Sequence, residues 1–288
     1  MRNSRKPMRF RRHCGTRLGP DMTIRILFPV TFVALLAVSL GTASGPKPKS
    51  ATDSASGSRQ NNGTTKSCEF EPPGAAFSIP HVVVGPKLNT DPSSPTWAHA
   101  ASTWIEKDCS TQLDYPKLKT EVRAFWTDSD LYLLFVSPYT ELNLWLPADN
   151  SKDRLNLWDK DVVEFFLGDD WRNIRHYREF EIAPTGDWVD LAIDLDHDSY
   201  GAEWNSGWQR QARIDKKGKV WYAAARVPLS SVSDLRVKEG TKWRVNLYRI
   251  DGLGADPQRH FMCWQQTCVV NRDPNHVPEH FGTLIFAK

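Results

Sequence analysis

The sequence lacks the motifs that usually announce an enzyme. There is no Gly-x-Ser-x-Gly elbow, no His-Glu-x-x-His and no phosphate-binding glycine loop, so serine-hydrolase, zincin and nucleotide chemistry have no anchor. There is no Cys-x-x-Cys pair; four residues separate Cys263 from Cys268, too many for a tight metal knuckle. Helical signals are sparse and no internal repeat is visible. No apolar run reaches the roughly 20 residues that a spanning helix needs. The longest, Ile26 to Leu40, has 15 residues, and no cysteine follows it to carry a lipid.

That run has its own meaning. Arg2, Arg5, Lys6, Arg9, Arg11, Arg12 and Arg17 precede it, and Gly41-Thr42-Ala43-Ser44 follows. A basic start, a short apolar stretch and a small-residue exit predict a secretory signal over 1–44, cleaved after Ala43 or Ser44. Met22 serves as well as Met1 for the start, and an uncleaved anchor is the alternative. The expected location is secreted or periplasmic. The first 44 residues hold eight Lys/Arg and one acid, a net +7; the whole chain is +3, which leaves −4 for the rest. The basicity is therefore a targeting feature, and no nucleic-acid partner is expected. Residues 45–67 are rich in Ser, Thr, Asn, Lys, Gly and Pro with nothing aliphatic beyond Ala51 and Ala55, and read as a disordered linker.

From residue 68 to 288 the texture is β. Val122–Trp126 and Leu131–Val136 flank Thr127-Asp128-Ser129-Asp130. Tyr177–Ile182 and Trp188–Ile193 flank Pro184-Thr185-Gly186-Asp187. Gln209–Ile214 and Val220–Val227 flank Asp215-Lys216-Lys217-Gly218. Each trio reads as a hairpin. Val162–Leu167, Trp243–Ile250 and Phe281–Phe286 read as further strands, and Pro95–Ala101 and Pro228–Val232 as helical turns. Many short strands with turn signals predict an all-β antiparallel sandwich. Cys68, Cys109, Cys263 and Cys268 are an even count in an exported chain, so disulfides are expected. The candidate pairs are Cys263 with Cys268 and Cys68 with Cys109.

Five patterns then fall in a known order: Leu157-Trp158-Asp159-Lys160-Asp161-Val162-Val163-Glu164-Phe165-Phe166, Tyr177 to Pro184, Trp221 to Pro228, Gly240 to Arg249, and Trp264 with Pro278-Glu279-His280-Phe281-Gly282. Together they resemble family 9 carbohydrate-binding modules over roughly Pro80 to Lys288. The resemblance implies a jelly-roll-like β-sandwich that binds an oligosaccharide or polysaccharide without catalysis. It puts Trp158 where a ring stacks on a sugar and Glu164 where a carboxylate accepts its hydroxyls. Where sugar-binding members carry an Arg-x-Asn pair, this chain has Glu181-Ile182-Ala183, and no second stacking Trp lies between Val269 and Pro278. Asn271, Arg272 or His276 are the candidates to replace those contacts, with Trp264 nearby.

Competing readings attach to several residues. Trp158 is a platform or a core plug. Glu164, among apolar neighbours, either pairs with an arginine such as Arg244 or faces a cleft. In an extended strand Asp194, Asp196 and Asp198 would lie on one side, which suggests a structural calcium or a solvated acidic edge. His276 and His280 flank Pro278 and read as a loop coincidence. Glu164 with Glu181, or Asp161 with Glu164, could form a glycosidase-like pair, but carboxylate pairs are common on strands and nothing marks these as special. Sugar binding is the leading function. The alternatives are a structural or interaction sandwich that has lost the site, and a small glycoside hydrolase or lyase.

Overall fold

The computed structural model describes residues 74–252, 259–270 and 272–288. Within them 13 strands form two sheets: β1 (Ala76–Ile79), β2 (Ala101–Ile105), β3 (Lys107–Asp108), β4 (Thr120–Trp126), β5 (Asp130–Pro138), β6 (Val162–Gly168), β7 (His176–Ile182), β8 (Trp188–Asp194), β9 (Gln209–Asp215), β10 (Val220–Pro228), β11 (Lys242–Gly252), β12 (Arg259–Cys263) and β13 (Gly282–Phe286). The larger sheet runs β1-β13-β11-β6-β7-β8, with β12 on the far end of β11 and β3 beside β12; the smaller runs β2-β4-β5-β10-β9. Only the β1–β13 strand pair is parallel. The three expected hairpins are β4–β5, β7–β8 and β9–β10. The expected helical turns are short 3-10 turns, Pro95–Trp97 and Leu229–Ser231. Among the described residues no helix is long and apolar enough to cross a membrane. The expected signal and linker, 1–67, lie outside those residues.

Alternation along the strands builds the layers. Val163, Phe165 and Leu167 of β6 point between the sheets, where Phe165 stacks on Phe180 at 4.8 Å and meets Phe135 at 6.1 Å. Val162 and Phe166 point the other way, into a second cluster with Tyr177, Leu191, Tyr248, Ile250 and Phe281. A sheet facing water would be polar on that side. Here the segments before β6 and after β12 cover it, so all of β6 is buried.

The cysteines pair differently from either candidate. The β12–β3 ladder sets Met262 opposite Asp108 and Cys263 opposite Lys107, which brings Cys109 to Cys263. Their Cα atoms are 5.2 Å apart and the two form a disulfide across 154 residues of sequence. Cys263 is therefore not bonded to Cys268, nor Cys109 to Cys68. Cys268 is itself disulfide-bonded; its backbone N–H donates to the Cys109 carbonyl at 2.8 Å. Cys68 lies outside the described residues.

Candidate functional site

The covered face of the larger sheet is not filled. A cavity of about 370 Å³ opens there. Its floor is strand surface: Glu164 from β6, Glu179 from β7, Leu191 from β8, Ile250 from β11 and Phe261 from β12. Leu155 and Trp158 contribute from the segment before β6, Tyr200 from the segment after β8, and Asp273, Asn275 and His276 from the segment before β13.

Trp158 sits on a 3-10 turn, Leu157–Asp159, entered through Asn156 in the left-handed region at φ 60°. Two buried aspartates fasten this segment. Asp161 accepts the backbone N–H of Asn143 at 3.0 Å and of Gly252 at 3.1 Å. Asp187 accepts Arg154 Nε at 2.6 Å and the Asp149 N–H at 2.9 Å. Arg259 Nη2 donates to the Trp158 carbonyl, which ties the turn to β12. The Trp158 ring is half-buried and packs against the outer cluster, so it is both a cavity wall and part of the packing beneath.

Glu164 is 2% exposed. Its Oε2 accepts Asn275 Nδ2 at 2.8 Å, and its Oε1 has no hydrogen-bond partner. Arg244 does not pair with it. That guanidinium donates instead to the carbonyls of Asp170, Asn173, Ile174 and His176, capping the loop between β6 and β7. The ladder places Glu181 directly across from Glu164, and Glu179 on the same face two residues along. Three carboxyls thus share one buried surface. Burial raises Glu164 well above the usual carboxylate range, and the charges of Glu179 and Asp273 add to it. Burial, then Glu164 and Glu179, raise Glu181 likewise. Glu179 is also raised by burial, with His276 and Glu181 pulling it down.

The segment before β13 supplies the remaining polar groups. Tyr248 Oη donates to the Asn275 carbonyl at 2.7 Å and so fixes that residue over Glu164. Asn275 Oδ1 has no partner. His276 Nδ1 shares a 2.6 Å hydrogen bond with Tyr177 Oη, and its Nε2 lies 3.8 Å from Glu179 Oε2 and 3.9 Å from Asp273 Oδ2. His280 bonds the Thr267 carbonyl instead, so the two histidines serve different contacts. Tyr200, 46% exposed, meets the His276 ring edge-on at 5.8 Å.

Of the residues singled out from sequence, the structure brings Trp158, Glu164 and His276 to one cavity. Trp264 is elsewhere: it packs on Phe77 at 6.2 Å at the margin of the inter-sheet core. Gly282 makes room for it, since a Cβ there would lie 2.5 Å from the Trp264 ring. Arg272 pairs with Glu279 at 2.9 Å and lines a separate depression with Asp108 and Tyr115. Asn271 lies outside the described residues. Glu179, Tyr200, Phe261, Asp273 and Asn275 were not singled out for the site. Only Glu179 had a signal, its two-residue spacing from Glu181.

The acidic trio divides as well. β8 ends at Asp194 and the chain turns, so the extended geometry expected of the three is absent. Asp194 Oδ1 and Asp196 Oδ2 converge on His176 Nε2 at 2.8 and 3.3 Å, while Arg175 holds Asp196 at 2.6 Å and His197 holds Asp194 at 2.7 Å. Asp198, at φ 50°, stays outside this group.

No family model matches the sequence, and no curated protein does. Solved structures do match. One is a protein from Bacteroides uniformis ATCC 8492 described as a candidate carbohydrate-binding protein, at TM-score 0.59 and 18% identity, covering 74% of this chain and 99% of that one. Another is a family 9 carbohydrate-binding module from Caldicellulosiruptor kristjanssonii in complex with cellotriose, at TM-score 0.52 and 12% identity, covering 73% and 93%. The chain therefore has the β-sandwich fold of these modules.

Proposed function

We propose that the chain is an exported carbohydrate-binding protein and that the cavity over β6 holds the sugar. The observation that carries this reading is the pairing of two unlike walls in one cavity. Trp158, Phe261, Leu155 and Ile250 offer an apolar surface, and Glu164, Glu179 and Asn275 offer buried acceptors without partners. A pyranose has the matching halves: a C–H face for the ring and hydroxyls for the acceptors. The modules that share the fold, one of them solved with cellotriose, support the choice of ligand.

Binding without turnover fits the site better than hydrolysis. A retaining or inverting glycosidase needs one ionised carboxylate opposite one protonated acid. Glu164 and Glu181 lie side by side on one ladder and burial favours the neutral form of both. The export part of the reading is supported by the disulfide that joins Cys109 to Cys263, since such bonds persist in oxidising compartments.

One aromatic platform with a few acceptors gives modest affinity, because hydroxyls lose water on entry. The expected dissociation constant is about 0.1–1 mM. The test is a glycan array of the mature protein followed by calorimetry with cello-oligosaccharides. Saturable binding in that range supports the reading; silence across the array refutes it.

A further inference from the structure

The cavity's polar wall is unbalanced. Three buried side chains each leave one oxygen without a hydrogen-bond partner: Glu164 Oε1, Glu179 Oε2 and Asn275 Oδ1, on residues 2%, 3% and 4% exposed. Donors are scarce beside them. Asn275 Nδ2 is committed to Glu164 and Tyr177 Oη is bonded to His276. Tyr248 Oη is bonded to the Asn275 carbonyl. Arg259, the guanidinium whose charge reaches Glu164, gives Nη2 to the Trp158 carbonyl and lines a separate depression, where its Nε has no partner. Asp273 adds another acid at the rim, and Glu181 lies on the strand beneath. A neutral sugar brings hydroxyl oxygens that need donors as well as hydroxyl protons that need acceptors. An ammonium group brings three donors, no acceptor and the missing positive charge.

We propose that the cavity selects an amine-bearing sugar, a glucosamine-type unit whose ammonium is held by Glu164, Glu179 and Asn275 Oδ1 while Trp158 takes the ring. This rests on the reading of the cavity as a sugar site and names the ligand class it takes. A bare divalent ion suits the wall less well. Among the described residues one trio of potential metal ligands closes within 4.8 Å, His176 with Asp194 and Asp196, and the cavity carboxyls do not form another. Entry of a cation favours their ionised forms, so binding releases protons and strengthens as pH rises. His276 and Asp273 face the same wall from the rim.

The experiment is calorimetry of the exported protein with three disaccharides of one linkage class: the glucosamine dimer, its N-acetylated form and cellobiose, at pH 5.5 and 7.0. The glucosamine dimer should bind ~10-fold tighter than cellobiose at pH 7.0, the size of one charge-assisted hydrogen bond. The ratio should shrink at pH 5.5, and acetylation should erase the gain. Glu179→Gln and Glu164→Gln should bring the ratio close to 1. If their melts show unfolding, Asp273→Asn, on a side chain 57% exposed, should lower the ratio in a folded protein. Equal binding of the glucosamine dimer and cellobiose overturns the amine selectivity and leaves the sugar reading standing. Binding of 1,5-diaminopentane with no sugar bound overturns the sugar reading and, with it, the amino-sugar assignment. Heat from calcium or zinc alone at this wall, abolished by Glu179→Gln, also overturns it. Silence from every ligand overturns both.

Discussion

On the inner face of β6, Val163, Phe165 and Leu167 pack into a largely apolar core, with Phe165 between Phe180 and Phe135 and the buried Arg249 over the Trp221 ring. On its outer face, Val162 and Phe166 flank Glu164, which is equally buried but keeps one oxygen without a partner. Neighbouring positions on one strand thus meet opposite treatments. The inner face is closed by a second sheet, whose ladder leaves no room for a guest. The outer face is closed by irregular segments held at a few fixed points, Asp161, Asp187 and the Tyr248–Asn275 bond. Such a cover can leave a hole, and a polar residue beneath a hole can be met by a ligand. The contrast teaches that burial alone does not separate packing residues from binding residues; an unpartnered polar atom that also lines a cavity does, since Trp208 and Trp221 keep unpartnered ring nitrogens in the inner core without reaching this cavity.

The sharpest way to break the comparison is to cut each face. Phe165→Ala should cost about 3–5 kcal/mol and lower the melting temperature steeply, because a rigid core cannot refill the void. Glu164→Gln should leave the melt unchanged or raised, since an isosteric neutral amide removes a buried acid that ionises only at cost. Chemical denaturation of both variants measures it. Next in size is the disulfide. Cys109→Ser with Cys263→Ser should lose roughly 2–5 kcal/mol by freeing a long loop in the unfolded chain, read as a fall in the denaturation midpoint.

A pH series sharpens the same contrast. Glu164, Glu179 and Glu181 are raised by burial, and Asp161 is pushed up to about 7 by burial and then by the charge of Asp251. A carboxyl raised on folding binds more protons in the native state than in the unfolded one. The stability it contributes is therefore present at and below the ordinary carboxylate range and is lost as pH climbs through the folded value. Denaturation midpoints should fall from pH 5 to pH 8, and Glu181→Gln should flatten the slope while Phe165→Ala should not. The smallest effect concerns calcium. If Asp194 and Asp196 hold it, chelator will lower the melt by no more than ~1–2 °C, because Arg175 and His197 already partner those carboxylates.

Much of the inner face could be read from the sequence. Hairpins were visible because turn chemistry is local: Asp215-Lys216-Lys217-Gly218 needs no distant partner to declare itself. β1, β3 and β12 were not, being short and defined by long-range pairing with β13, with β12, and with β11 and β3 respectively. The site divided in the same way. Trp158 and Glu164 lay within one motif and met as expected. Asn275 reaches Glu164 across 111 residues, and Cys109 reaches Cys263 across 154, contacts that no local pattern encodes. Arg244 seemed a natural partner for Glu164 by charge; in the fold, carbonyls at the end of β6 and before β7 capture it first.

The most direct test of the whole account is paired calorimetry and thermal melting of Trp158→Ala against the parent protein, with the tightest saccharide from the array as ligand. The half-buried ring makes the prediction specific: sugar affinity falls at least ~10-fold, consistent with loss of one stacking contact, while the protein still unfolds in a single transition only a few degrees lower. A steep loss of melting temperature would make Trp158 a packing residue, and binding that survives both Trp158→Ala and Glu164→Gln would place the sugar somewhere other than this cavity.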